Sequence, residues 1–73
     1  MIDPDSPQHP YMQLSGLLRS QIQRGEIGPR IPSITQLSEI YELSQATVKR
    51  ALKVLSDEGL IYSVRGRGTF VKP

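Results

Sequence analysis

The feature that most constrains this chain is a pair of strong helix starts placed close together. Ser33 opens an S-x-x-Q capping box, in which two side chains satisfy free backbone N–H groups at a helix start. Ser44 is a second residue of a type favoured at the N-cap. The segments that follow predict helices over about 34–41 and 45–58 with only a short turn between them, which is typical of a helix-turn-helix.

Both predicted helices have an apolar side. We expect the buried side of the first to consist of Ile34, Leu37, Ile40 and Tyr41. The apolar stripe of the second comprises Val48, Ala51, Leu52 and Leu55. At about 100° per residue, its opposite side comprises Ala46, Lys49, Arg50 and Lys53. The second helix is therefore expected to pack on one side and to present a basic surface on the other.

Further elements flank this pair. Apolar residues at helical spacing predict an earlier helix over 11–24, with Pro10 in its first turn and Gly25 as its C-cap. β-Branched and aromatic residues at 60–64 and 69–71, on either side of an Arg-Gly-Arg-Gly loop, predict a β-hairpin. Three helices followed by a two-stranded hairpin wing make the predicted fold a winged helix, mainly α with a small β component.

The predicted domain organisation is simple, since 73 residues hold one small domain. This domain is expected over residues 11–73. Residues 1–10 contain three prolines among mostly polar residues, so nothing there is expected to pack and the segment is interpreted as a flexible N-terminal arm. Ile31, held extended by the proline after it, is a candidate for a short strand.

Composition excludes several functional classes. The chain has no cysteine and a single histidine, His9, so neither a metal site nor a cofactor is predicted. The sequence offers no nucleophile–base pair and no phosphate-binding loop, and an enzyme is not expected. No apolar run approaches the roughly 20 residues of a membrane span. We therefore expect a cytoplasmic protein.

The net charge of +2 is unevenly distributed. Residues 1–10 hold two acidic side chains and no basic one, and residues 11–43 are neutral. Residues 44–73 hold six basic and two acidic side chains, so the excess of positive charge lies there. A localised basic region indicates an anionic partner, of which nucleic acid is the commonest.

The helix over 45–58 has the properties of a DNA-recognition helix. The major groove of B-DNA admits one α-helix, whose N-terminal residues point at base edges. The predicted base-contacting residues are Ser44, Gln45, Ala46 and Thr47, and the predicted phosphate-contacting residues are Lys49, Arg50 and Lys53. These residues alone leave open the alternative of an ordinary core helix with a charged outer face.

The hairpin loop is a second candidate for DNA contact. Arg65, Gly66 and Arg67 place two guanidinium groups on a thin loop, and arginine senses the negative potential of a narrow minor groove. The alternative is a mobile hairpin tip with incidental arginines.

Three motifs of this sequence, with the spacing between them, are shared with a known family. They are Ile31-Pro32-Ser33, Ser44-Gln45-Ala46-Thr47-Val48-Lys49-Arg50-Ala51-Leu52 and Arg65-Gly66-Arg67-Gly68-Thr69-Phe70-Val71. With them, the chain resembles the N-terminal domain of GntR-type bacterial transcription regulators over about residues 10–72.

The resemblance implies a winged helix that binds double-stranded operator DNA as a homodimer on a near-palindromic site and acts as a repressor. It implies that the third helix reads the major groove and that the wing enters the minor groove at Gly66. Ser33 and Thr35, at the start of the second helix, are expected near the DNA backbone. Relatives also carry a C-terminal domain that binds an effector and dimerises, which we expect to be missing from this chain because it stops at Pro73.

Several positions depart from the family pattern. Ile34 and Thr35 replace an acidic residue and an arginine, and Gln45 and Lys49 stand where arginine is usual. Since arginine is the bidentate reader of guanine, the operator sequence of relatives does not transfer to this chain. Two other functions stay open: a winged-helix protein-interaction module without DNA binding, and a binder of double-stranded RNA or Z-form nucleic acid.

Overall fold

The computed structural model describes residues 2–73 and contains three helices followed by a hairpin. The helices are α1 (Pro10–Gln23), α2 (Ile34–Tyr41) and α3 (Gln45–Asp57), and the strands are β1 (Ile61–Val64) and β2 (Gly68–Val71). The predicted winged helix is therefore confirmed. The predicted bounds of α2 agree with the structure, whereas α1 begins and ends one residue earlier than predicted and α3 ends one residue earlier.

The core lies where α1 and α3 pack against each other, closed by α2 on one side and β1 on another. Its fully buried side chains come from every helix and from the hairpin: Leu14, Leu18, Leu37, Val48, Ala51, Leu55 and Ile61. Leu52, also on the predicted stripe of α3, is buried as well. The predicted division of α3 into a packed and an exposed side is confirmed, because its cations Lys49, Arg50 and Lys53 are all exposed.

The predicted buried side of α2 is wrong at one position. Leu37 is buried, and Ile34 and Tyr41 are partly buried, but the side chain of Ile40 is 62% exposed. At about 100° per residue, Ile40 lies about 60° around the helix from Leu37, on the side away from Tyr41. Leu37 is the buried residue of α2, and this edge of its apolar side faces outward.

The N-terminal segment makes contacts that were not expected from the sequence. Ile2 packs against the core cluster. The side chain of Gln13 accepts a hydrogen bond from the Asp3 backbone N–H (2.6 Å) and donates to the carbonyl oxygens of Asp3 (2.9 Å) and Gln8 (2.8 Å). The expectation that nothing in this segment packs is therefore wrong for residues 2–9, because one polar side chain of α1 binds the passing backbone. Met1 lies outside the described residues.

The hairpin is tied to the loop before α2. Its strands pair antiparallel, with Ile61 opposite Val71 and Val64 opposite Gly68. On the other edge of β2, Arg30 forms an isolated bridge with Phe70, flanked by a hydrogen bond from the Ile31 N–H to the Thr69 carbonyl (3.0 Å). The short strand expected at Ile31 is thus a single bridge centred one residue earlier. This bridge attaches the base of the wing to the segment that leads into α2.

Candidate nucleic-acid interface

The turn between α2 and α3 sets the direction of α3. Glu42 adopts the left-handed conformation (φ 54°) at the end of α2. The Leu43 N–H donates to the Ser38 carbonyl (3.1 Å), and the Ser38 hydroxyl donates to the Leu43 carbonyl. The chain therefore reverses within a few residues and brings the start of α3 beside the start of α2.

Both predicted caps form. The Gln36 N–H donates to Ser33 Oγ (3.1 Å) and Gln36 Oε1 accepts from the Ser33 N–H (2.9 Å), which completes the capping box of α2. At α3, the Thr47 N–H donates to Ser44 Oγ (3.1 Å). The hydroxyls of Ser44 and Thr47 also lie 2.9 Å apart. Each cap stabilises the start of its own helix, and these hydroxyls already form hydrogen bonds within the chain.

The starts of α2 and α3 form one surface. The predicted interface residues Ser33, Thr35, Ser44, Gln45 and Ala46 are all exposed, and Thr47 is partly buried by its capping contact. Gln45 Nε2 lies 3.5 Å from Thr35 Oγ1, so the two helix starts touch through side chains that can both hydrogen-bond to a ligand.

The cations of α3 differ in their partners. Within residues 2–73 the ion pairs are Arg19–Glu58, Arg24–Glu26 and Lys53–Asp57. Lys53 is therefore held by a carboxylate one turn away (3.3 Å), whereas Lys49 and Arg50 lack one in this part of the chain. The guanidinium of Arg50 instead lies over the ring of Tyr11, with Cζ 4.0 Å from the ring centroid.

The Arg19–Glu58 pair lies away from the start of α3. Arg19 Nε and Nη2 donate to the two carboxylate oxygens of Glu58 at 2.8 and 2.6 Å. These hydrogen bonds lower the pKa of the Glu58 carboxyl below its ordinary value and raise the pKa of Arg19. The pair joins α1 to the end of α3 and matches the charge of Arg19 with an opposite one.

The tip of the wing presents its arginines to solvent. Arg65, Gly66 and Arg67 are all exposed. The Arg67 N–H donates to the Val64 carbonyl (2.9 Å), closing a turn in which Gly66 has φ 78°. This conformation favours glycine, since a Cβ would be strained there. The tip is therefore a narrow turn flanked by two guanidinium groups.

A groove connects α3 to the wing. Lys49 and Lys53 line it from the helix, and Ser63 and Thr69 line it from the two strands. Ser63 and Thr69 face each other across the hairpin, with their hydroxyl oxygens 3.5 Å apart. The exposed basic side of α3 and the wing thus lie next to each other on one surface of the molecule.

Sequence reasoning missed one cation at this surface. Arg30 belongs to the neutral stretch 11–43, but its bridge to Phe70 brings its guanidinium against the wing. A Cβ built on Gly68 would lie 3.0 Å from Arg30 Nε, so the guanidinium occupies the space that a side chain at Gly68 would fill. The contact depends on strand pairing between distant segments, and the sequence around Arg30 carries no local signal for it.

Other kinds of site find little support in the described residues. Within residues 2–73 there is no group of three His, Cys, Asp or Glu side chains that could hold a metal ion. The helices of the same residues are too short or too polar to cross a membrane.

Comparison with known proteins identifies the family. Residues 10–71 match the model of bacterial regulatory proteins of the gntR family. The chain is 42% identical to the HTH-type transcriptional repressor NagR of Bacillus subtilis over 72 residues, which cover 96% of this chain and 30% of NagR. It is 35% identical to the HTH-type transcriptional repressor YtrA of the same organism, covering 96% of this chain and 55% of YtrA.

Comparison with solved structures leads to the same family. YtrA from Sulfolobus acidocaldarius, a GntR-family transcription factor, matches 100% of this chain and 79% of its own with a TM-score of 0.90 at 33% identity. The DNA-binding domain of AraR in complex with operator ORE1 matches 99% of this chain and 90% of its own with a TM-score of 0.86 at 32% identity. The chain spans 30% of NagR and 55% of Bacillus YtrA, the part that contains the helix-turn-helix and the wing. This chain is a winged helix-turn-helix domain that belongs to the GntR family of bacterial regulatory proteins.

Proposed function

We propose that this domain binds double-stranded operator DNA sequence-specifically and serves as the recognition part of a transcriptional repressor. The observation that carries the proposal is the groove lined by the exposed Lys49 and Lys53 of α3 and by Ser63 and Thr69 of the hairpin, which places the basic side of α3 beside the wing. A duplex presents a major groove, a phosphate backbone and a minor groove side by side, and this surface offers a matching element for each.

The start of α3 is the proposed reader of bases. Gln45 and Ala46 are exposed there, and glutamine pairs bidentately with adenine while an alanine methyl suits the methyl group of thymine. Ser44 and Thr47 support this role by keeping the helix start rigid through their mutual hydrogen bond. The proposed phosphate contacts, which position the helix without reading sequence, are Ser33, Thr35, Lys49, Arg50 and Lys53.

The wing is the proposed minor-groove element. Arg65 and Arg67 flank the narrow turn at Gly66, and the guanidinium of Arg30 adds a third positive charge beside Gly68, the residue that follows the turn. Arginine is favoured where the minor groove narrows and its negative potential deepens. The DNA-binding domain of AraR, solved in complex with operators, shares this fold at 32% sequence identity, which supports operator binding by this domain.

The proposal extends to two copies of the domain on a near-palindromic operator. Two-fold symmetry of a dimer is mirrored by the two half-sites of such DNA. We place the dimerising and effector-binding functions of the whole protein in a further domain outside residues 11–73. A protein of this kind acts on the nucleoid in the bacterial cytoplasm, and its proposed mode of repression is occupation of the operator.

The protein-interaction alternative is less well supported. A docking helix of that kind would present an apolar outer side, whereas the exposed residues of α3 are polar, small or basic. The large exposed apolar side chains of the described residues are Met12, Ile40 and Tyr62, and all three lie outside α3.

Selection from a random duplex pool tests the proposal. The chain is incubated with random-sequence DNA duplexes, bound duplexes are recovered from a mobility-shift gel, and the recovered pool is sequenced after several rounds. We expect enrichment of a short motif and loss of binding as salt rises. An unenriched pool would contradict sequence-specific binding, and equal competition by an RNA duplex would favour the RNA-binding alternative.

A further inference from the structure

The contact between Tyr11 and Arg50 joins the start of α1 to the exposed side of α3. Tyr11 is partly buried against the core, and the exposed Arg50 lies with its Cζ 4.0 Å from the centre of the tyrosine ring. A guanidinium within about 6 Å of an aromatic face is attracted by the ring quadrupole. His9 stacks on the same ring at a centroid distance of 6.1 Å and an interplanar angle of 19°.

The ring holds Arg50 without neutralising it. Arg19, by contrast, donates to both carboxylate oxygens of Glu58 and is matched by an opposite charge. Within residues 2–73 Arg50 forms no ion pair, so its full positive charge remains. A ring does not compensate the charge of a guanidinium as a carboxylate does, so the five N–H donors of the group can still serve an anion.

The contact between Tyr11 and Arg50 lies beside the part of α3 that is proposed to enter the major groove of DNA. His9, Pro10 and Tyr11 line one side of a small depression, and Ala46, Thr47 and Arg50 line the other. The depression therefore lies beside the first turn of α3, on whose exposed residues the proposed base reading depends. A duplex that receives this turn in its major groove brings its backbone phosphates to the flanks of the helix.

We infer that Tyr11 is a positioning residue for DNA binding, which holds the Arg50 guanidinium in the orientation that meets a backbone phosphate beside the start of α3. The inference rests on the proposed function and deepens it. An unrestrained arginine loses rotamer freedom when it binds a phosphate, and a guanidinium already held against a ring has less freedom to lose. Tyr11 thereby contributes to affinity without itself contacting the DNA.

Four variants separate this role from simple packing. Tyr11→Phe keeps the aromatic face, Tyr11→Leu removes it, and Arg50→Ala removes the cation. The double variant combines Tyr11→Leu with Arg50→Ala and removes both. Tyr41→Leu is the matched control, since Tyr41 is also a partly buried tyrosine packed on the core but carries no cation over its ring in the described residues. The probe is the duplex that the wild-type chain selects from the random pool, and its Kd is measured at several salt concentrations. Circular dichroism melting verifies that each variant folds, and Tyr11→Met replaces Tyr11→Leu if the latter unfolds.

We expect Tyr11→Phe to bind like the wild type and Tyr11→Leu to bind about three- to fivefold more weakly. The plot of log Kd against log salt should flatten in Tyr11→Leu as it does in Arg50→Ala. In the double variant, the loss should be no larger than in Arg50→Ala alone, whereas Tyr41→Leu should leave affinity and slope unchanged.

Two results would overturn the inference alone: wild-type affinity and salt slope in Tyr11→Leu, or losses that simply add in the double variant. A wild-type chain that selects no duplex would overturn the proposed function as well.

Discussion

The middle of α3 and its C-terminal end differ in how their charged side chains are partnered. Lys49 has no carboxylate partner in residues 2–73, and Arg50 is held by an aromatic ring. One turn further along, Lys53 pairs with Asp57 of the last turn at 3.3 Å, and Glu58 just beyond the helix receives both hydrogen bonds of Arg19. The comparison shows that the position of a basic residue in the sequence does not decide whether its charge is available to an anion. Cations near the start of α3 are available, and those at its end are used within the protein.

Removing Lys49 should have the largest effect on affinity. We expect Lys49→Ala to weaken binding of the selected duplex about tenfold, since a charge-assisted phosphate contact is lost. The salt slope should fall by about one unit. Lys53→Ala is the matched control, and its effect should be clearly smaller because that ammonium is shared with Asp57. Equal effects of the two variants would break the distinction between the ends of α3.

Removing Gln45 should change base choice more than affinity. Gln45→Ala deletes the exposed amide at the start of α3, so preference at one position of each half-site should drop by about tenfold. Sequencing of duplexes selected by the variant measures this directly. Thr35→Ala, which removes the hydroxyl 3.5 Å from the same amide, is the companion variant and should alter the profile less. A selection profile identical to that of the wild type would contradict the role of Gln45.

Releasing Lys53 from its ion pair should increase the affinity for DNA. Asp57→Asn removes the carboxylate that holds the ammonium group. Because exposed ion pairs of this kind are weak, we expect only about twofold tighter binding of DNA, with a slightly steeper salt slope. The double variant Asp57→Asn with Lys53→Ala should lose most of this gain. An unchanged affinity in Asp57→Asn would show that the pair does not compete with DNA.

Breaking the Arg19–Glu58 pair should leave DNA affinity unchanged and alter the pH dependence of folding. The pKa of Glu58 in the folded state lies below its ordinary value. The ionised carboxylate therefore stabilises the fold at pH values above the ordinary pKa. This contribution is lost as the pH falls through the lowered pKa. Thermal melting of Glu58→Gln should therefore differ from the wild type at neutral pH and converge with it in acid. A difference that persists or grows in acid would contradict the assigned pair.

Local signals in the sequence account for the elements of the fold. The start of α2 follows from its capping box, and the bounds of α3 follow within one residue from Ser44 and the apolar stripe. Both rest on interactions between residues three or four apart in the chain. The wing follows in the same way from two strand-like runs around a glycine-containing loop. The roles of the candidate interface residues stay predictions, although the structure brings most of them to one surface.

Contacts between distant residues account for what sequence reasoning missed. Ile40 matches the apolar pattern of α2, yet no other element of residues 2–73 covers it and its side chain is 62% exposed. Arg30 reaches the wing through pairing with a strand forty residues away, and Tyr11 meets Arg50 across the packing of α1 on α3. Periodicity and capping reveal which face of a helix packs and where the helix begins, because those properties depend on neighbours along the chain. Which charge is neutralised, stacked or left for a ligand depends on the side chain that another element brings opposite it, and only the tertiary structure decides that.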